Sequence, residues 1–203
     1  RLLLAAHYVT LHAACRAKAA APGYTEMAQK LAMSLVRYCD ILPADRVFFE
    51  AGQACKAAGR LGPAFVLLNR FLDLCDAMED RDGSSALDNA EFEGTDIPFD
   101  FCLAESPYAA DPEREEVRDW VLTMSMDHKV EPALGTRACP KCGAAAYDAG
   151  LGCKCGAKFK PCVVTGMPVW RGRGELPAES VFGGFHSGGL AFKDFIEFTL
   201  KLD

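Results

Sequence analysis

The sequence predicts a mainly α-helical chain: helical hairpins stacked as the end of an α-solenoid, followed by a small cysteine-rich α+β module. Two observations carry this. Through the first 80 residues apolar side chains recur at three- and four-residue spacing, the signature of amphipathic helices. After residue 138, five cysteines fall between Cys139 and Cys162 in ACPKCG, GCKCG and KPC, a density that suits a metal-supported fold better than a packed core. At 203 residues and 50% hydrophobic, the chain can form one large domain or two small ones with a sizeable core.

Leu4, Tyr8, Leu11 and Cys15 form the first stripe and Met27, Leu31, Leu35 and Tyr38 the second, parted by Pro22 and Gly23. A second pair follows Pro43. Val47, Ala51, Ala54 and Cys55 lie on one helix, and Phe65, Leu68, Leu72 and Cys75 lie on the next, with a turn from Gly59 to Pro63. Cys15, Cys39, Cys55 and Cys75 sit on or beside these stripes. A free thiol there behaves as a small hydrophobe, so core packing is expected of them.

Periodicity stops between Arg81 and Asp111. Ile97, Phe99 and Phe101 alternate through this acidic stretch, which predicts a short strand or an extended arm lying in a groove of the solenoid. Helix resumes at Asp111 and Pro112, with the aspartate as cap, proline in the first turn, and Glu113, Glu115 and Glu116 near the positive helix end. Its buried stripe is Val117, Trp120, Val121 and Met124. The expected division is therefore 1–80 solenoid end, 81–111 connector, 112–130 helix and 131–203 cysteine-rich module.

Cys139-Pro140-Lys141-Cys142-Gly143 has the form of a zinc knuckle, whose glycine lets the backbone turn tightly beneath a metal. Cys153-Lys154-Cys155-Gly156 is a tighter second knuckle. Four thiolates complete one structural zinc ion. The ligand set is Cys139, Cys142 and Cys155 with Cys153 as the fourth, and Cys162 as the alternative fourth. A catalytic zinc would keep an open position and usually a histidine or carboxylate, and nothing in the sequence orients His128 or His186 for that. Further on, Leu190, Phe192, Phe195, Ile196 and Leu200 predict a last helix that packs on the ribbon or the solenoid.

Charge narrows the function. Residues 79–128 carry fifteen acidic and three basic side chains, between two mildly basic ends, and the chain's net charge is −6. That balance argues against a nucleic-acid partner, whose affinity comes from phosphate neutralisation. A nucleic-acid-binding ribbon using Lys141, Lys154, Lys158 and Lys160 is retained as a third possibility. No run of about 18 apolar residues predicts a membrane span. The chain opens on Arg1 inside a helical pattern, which predicts a piece of a longer protein. No catalytic triad, phosphate loop or paired carboxylates stand in a recognisable frame, so a non-enzymatic scaffold is expected.

Three resemblances add to this. Phe48, Gly52, Cys55, Gly59, Ala64 and Leu68 fall where tetratricopeptide repeats place large, small and turn residues, although the two hairpins are some forty residues apart. The stretch from Lys160 to Val169, KPCVVTGMPV, resembles the opening of a U-box. This implies a RING-like module in which Val163, Val164 and Pro168 on one loop and Pro177 on a second contact ubiquitin or a ubiquitin-conjugating enzyme. A full RING needs eight ligands, and five cysteines with one or two histidines are too few, which favours a U-box-like module. Finally, CPKCG and CKCGAKFKPCVVTGMPV behind helical hairpins and an acidic connector are similar to the C-terminal ends of ciliary intraflagellar transport subunits of complex B. The likeness implies a protein of cilium, flagellum and cytoplasm that works as an adaptor binding other transport subunits. E3 ubiquitin ligase activity of the RING/U-box type is the alternative.

Overall fold

Each apolar stripe that falls within the described residues becomes a helix. In the computed structural model, residues 1–21, 23–80, 87–127 and 129–169 are described, with the strand pairs 179–180 and 183–184. Helix α1 spans Leu2–Ala17, α2 Tyr24–Leu35, α3 Ala44–Ala57, α4 Leu61–Glu79 and α5 Asp111–Ser125. Successive helices pack on one another, so the first four form two hairpins. Tyr8, Leu31, Val36, Phe48, Leu67, Leu68 and Phe71 are almost wholly buried and make the centre of the core. Cys15, Cys39, Cys55 and Cys75 are buried among them as free thiols. No helix among the described residues is long and apolar enough to cross a membrane.

The connector folds back as an arm rather than a strand. Cys102 N–H donates to Cys39 O and Ala44 N–H donates to Cys102 O, both at 2.8 Å, so the arm satisfies the open backbone between α2 and α3. Phe92 and Phe101 each meet the Phe48 ring edge-on, at 5.6 and 5.8 Å. The buried Arg70 guanidinium covers both, at 4.9 and 5.6 Å from their centroids, and donates to Asp88 O. Strict alternation does not hold: Ile97 is buried, whereas Phe99 is 48% exposed.

The cap of α5 also departs from expectation. Ala110 is the cap residue and Asp111 the first helical one. Glu113 accepts the Ala110 N–H at 3.2 Å while Asp111 pairs with Arg114, so Asp111 is not the capping acceptor. Val117 and Val121 are buried, and Trp120 is half-buried with Lys56 Nζ 5.1 Å above its ring.

In the ribbon, β1 (Thr136–Ala138) pairs antiparallel with β2 (Ala145–Tyr147), Thr136 opposite Tyr147 and Ala138 opposite Ala145. A second small pair joins β3 (Glu179–Ser180) and β4 (Gly183–Gly184). The ribbon's own core is slight: Cys139, Ala146 and Ala157, with Cys153 and Phe159 against them. Tyr147, Ala149, Cys162 and Val164 instead join the helical core. The expected last helix, with Leu190, Phe192, Phe195, Ile196 and Leu200, lies outside the described residues.

Candidate functional site

The two knuckles face each other across the end of the β1–β2 hairpin. Gly143 N–H closes the first on Cys139 O at 2.8 Å, and Gly156 N–H closes the second on Cys153 O at 2.9 Å. Both glycines have positive φ, 75° and 81°, which a side-chain-bearing residue adopts only at a cost. These turns bring together the Sγ atoms of Cys139, Cys142, Cys153 and Cys155, all within 4.8 Å of one another, in a group that could hold a metal ion. Sulfur-to-sulfur distances are 3.9 Å for Cys139 and Cys155 and 3.7 Å for Cys142 and Cys153.

The thiols of Cys139 and Cys153 influence each other's ionisation. Desolvation opposes ionisation of Cys139, but backbone N–H groups of Cys142 and Lys141 and the neighbouring thiols outweigh it and hold its pKa down to about 7. Cys153 goes the other way. The Cys155 backbone N–H favours its thiolate, yet desolvation and three neighbouring sulfurs push it up to about 11. Thiolate is the ligand form, so a cluster with its first proton this loosely held is suited to a thiophilic divalent ion. Lys141, Lys154, Lys158 and Lys160 are all exposed around it.

Cys162 is not in the cluster; it is 2% exposed in the helical core. The turn that follows it is held by four side chains of α1, α2 and the short 3-10 turn Val36–Tyr38. Tyr8 OH donates to Cys162 O at 3.0 Å, His7 Nε2 to Val163 O at 2.8 Å, Ser34 Oγ to Thr165 O at 2.8 Å and Arg37 Nη1 to Gly166 O at 2.8 Å. Arg37 also donates to Ala149 O and pairs with Asp96, whose carboxylate accepts Leu151 N–H at 2.9 Å. A Cβ on Gly166 would lie 2.7 Å from Ser34 Cβ, so only glycine allows this approach. Of the residues expected to contact ubiquitin or its conjugating enzyme, Val164 and Pro168 are buried and Val163 is half-buried, while Pro177 lies outside the described residues.

Sequence reasoning missed the holding residues His7, Tyr8, Ser34, Arg37 and Asp96. The one available signal was a polar residue beside an apolar stripe: Ser34 is wholly buried and Arg37 only 7% exposed.

No family model matches the chain. It is similar to intraflagellar transport protein 172 of Chlamydomonas reinhardtii, 47% identical over 169 residues, which cover 82% of this chain and 9% of that protein. The human intraflagellar transport protein 172 homolog is 43% identical over 178 residues, 86% of this chain and 10% of its own length. Intraflagellar transport protein osm-1 of Caenorhabditis elegans is 37% identical over 176 residues, 83% of this chain and 10% of its own. The chain spans about a tenth of the length of the curated relatives it matches. Over the matched residues, therefore, the chain is homologous to a C-terminal region of the intraflagellar transport protein 172 proteins.

Proposed function

We propose that this chain is a protein-interaction adaptor of intraflagellar transport trains, working in the cilium or flagellum and the cytoplasm. Its helices and arm dock other transport subunits, and one structural zinc ion held by Cys139, Cys142, Cys153 and Cys155 supports the ribbon. The observation that carries the adaptor reading is the clamp of four side chains on the 162–166 carbonyls, which joins helices and ribbon into one continuous surface. Zinc is supported by chemistry and size: four sulfurs about 2.3 Å from a central ion define a tetrahedron with edges of about 3.8 Å. The 3.7 and 3.9 Å separations fit that edge. Four protein sulfurs complete a structural ion's shell and leave no position for a substrate.

The test is to express the tagged chain in ciliated cells, image it and quantify co-purified transport subunits. Ciliary signal with enrichment of train subunits is expected. Recovery of none of them from the ciliary fraction would end the adaptor reading.

A linked second activity is handling of ubiquitin by the 162–203 segment as a U-box-like module, either as a binder or as an E3 ligase. It rests on the resemblance of the KPCVVTGMPV stretch and on partly exposed Val163. Because Val164 and Pro168 are buried, contact through them requires the turn to leave α1 and α2. Val163→Arg is expected to weaken binding to ubiquitin or to a ubiquitin-conjugating enzyme without changing the melting temperature. Wild-type binding in both assays would remove this activity.

A further inference from the structure

Helix α5 carries a second apolar stripe that its packing does not use. It lies on α4 with Val117 and Val121 buried and Trp120 and Met124 half-buried. At 100° per residue, Asp111, Glu115, Asp119, Leu122 and Met126 share the opposite face, Met126 being the C-cap with helical backbone angles. Leu122 is 61% and Met126 73% exposed, one turn apart. Apart from Leu2 and Leu3 in the first turn of α1, no large apolar side chain among the described residues is more exposed.

The surface around that stripe is acidic. Helix α5 itself sets Asp111, Glu113, Glu115, Glu116 and Asp119 against Arg114 and Arg118. Asp76 and Glu79 of α4 adjoin it: Arg118 Nη2 lies 3.4 Å from Asp76 Oδ1, and Arg114 pairs with Glu79 and Asp111. Arg118 Nε is also 3.9 Å from Glu115. Seven carboxylates thus face two guanidiniums, and neighbouring charges do not restore the balance. Lys56, over the Trp120 ring on the α3 side, is one further cation, while Asp127 and Lys129 cancel, as do Arg81 and Asp82. The helix start accounts for two of the acids, since Glu113 accepts the Ala110 N–H and Asp111 holds Arg114. Glu116 and Asp119, a turn or more further on, are exposed and serve neither purpose.

Charge decides what can cover such a stripe. A second copy meeting it through the same face would set acid against acid, and phosphate-bearing surfaces are repelled. The chain's own 170–203 segment has four basic and five acidic side chains, so it brings no matching excess. We propose that the outward face of α5 is a docking surface for a basic amphipathic segment of a partner protein. Aliphatic side chains of that segment lie on Leu122 and Met126, and its Lys or Arg side chains reach Glu115 and Asp119. The inference rests on the adaptor reading and names the chemistry of one partner. Peptide binding that depends on Leu122 and Met126 while ciliary co-purification fails would sink that reading and leave this surface standing.

The experiment is a selection of random peptides displayed on phage against the chain, after depletion on the double variant Leu122→Gln with Met126→Gln. Fluorescence anisotropy with the synthetic peptides follows. Peptides rich in Lys or Arg, with aliphatic residues at three- and four-residue spacing, are expected, binding once per chain and more weakly at high salt. The double variant should lower their affinity about thirtyfold, the loss of two partly covered apolar side chains. Asp119→Lys should lower it about tenfold, since an exposed ion pair becomes a repulsion. All three positions are exposed, and glutamine and lysine are good helix formers, so melting should stay at the wild-type value. Should the double variant not fold, Asp119→Lys decides alone. Recovery of acidic or uncharged peptides, recovery of none, or affinity indifferent to these substitutions would overturn the surface.

Discussion

Cysteine behaves in opposite ways in the two halves of this molecule. In the helical half Cys15, Cys39, Cys55 and Cys75 are at most 2% exposed, and burial pushes their thiols up, to about 12 for Cys39 and about 11 for the others. In the ribbon Cys139 is just as buried by area, yet its thiol falls to about 7. The difference is local backbone. On a helix most N–H groups are already spent on the i−4 carbonyls, so little offsets burial for these sulfurs, although Cys39 and Cys55 donate to Pro98 O and Met33 Sδ. In a knuckle the turn leaves N–H groups of Lys141 and Cys142 aimed at the sulfur. One residue type therefore serves as packing in one half and as a candidate ligand in the other.

Removing metal should separate the halves most sharply. Structural zinc contributes about 10–16 kcal/mol in zinc-finger peptides near pH 7, far more than the ribbon's slight core of Cys139, Ala146 and Ala157 can replace. Elemental mass spectrometry should read one zinc per chain, lost in Cys139→Ser and Cys142→Ser and kept in Cys162→Ser. A strong chelator should abolish ordered ribbon signals while the helical circular dichroism persists. Full zinc content in Cys142→Ser would show that the four-sulfur cage is the wrong ligand set.

The converse break is in the helical core. Phe48 is wholly buried and holds Phe92 and Phe101 of the arm, so Phe48→Ala should cost about 3–5 kcal/mol in thermal or urea unfolding. Zinc content should stay at the wild-type value. A smaller loss, about 2–3 kcal/mol, is expected for Arg37→Met, which removes the donor shared by Ala149 and Gly166. Hydrogen exchange should then speed at the 162–166 turn and remain slow in α3 and α4. Uniform acceleration throughout would mean that Arg37 supports the helices rather than joining the halves.

Much of this was readable from residue order. The five α-helices among the described residues follow from three- and four-residue spacing, because burying one helix face leaves a periodic trace, and the knuckles follow from cysteine and glycine spacing, because the backbone turn is local. What joins the parts leaves no such trace. The arm is tied by Cys39, Ala44 and Cys102 through backbone atoms, which every sequence possesses. The 162–166 turn is held by carbonyls meeting His7, Tyr8, Ser34 and Arg37 from over a hundred positions away. Tyr8 was legible as a core residue but not as a donor, since its ring fits the stripe whichever partner its hydroxyl finds.

The smallest effect tests whether burial or a neighbouring charge governs a group in the helical half. His12 is 6% exposed; burial lowers its pKa, the Glu50 carboxylate opposes that, and Arg16 and Arg46 reinforce it, with the net shift downward. In the unfolded chain a histidine titrates near 6.5. Between the folded value and about 6.5 the unfolded state binds more protons, so stability is lost as pH falls through that window. Acid also protonates the cysteine cluster, so the quantity to measure is the difference in melting temperature between wild type and His12→Gln. It should be flat from about pH 8 to about pH 7 and then move against the wild type toward about pH 5.5. A difference that moves in the wild type's favour would mean that His12 takes up a proton on folding and pairs with Glu50, so that a neighbouring charge overrides burial among the helices, as backbone N–H groups override it at Cys139.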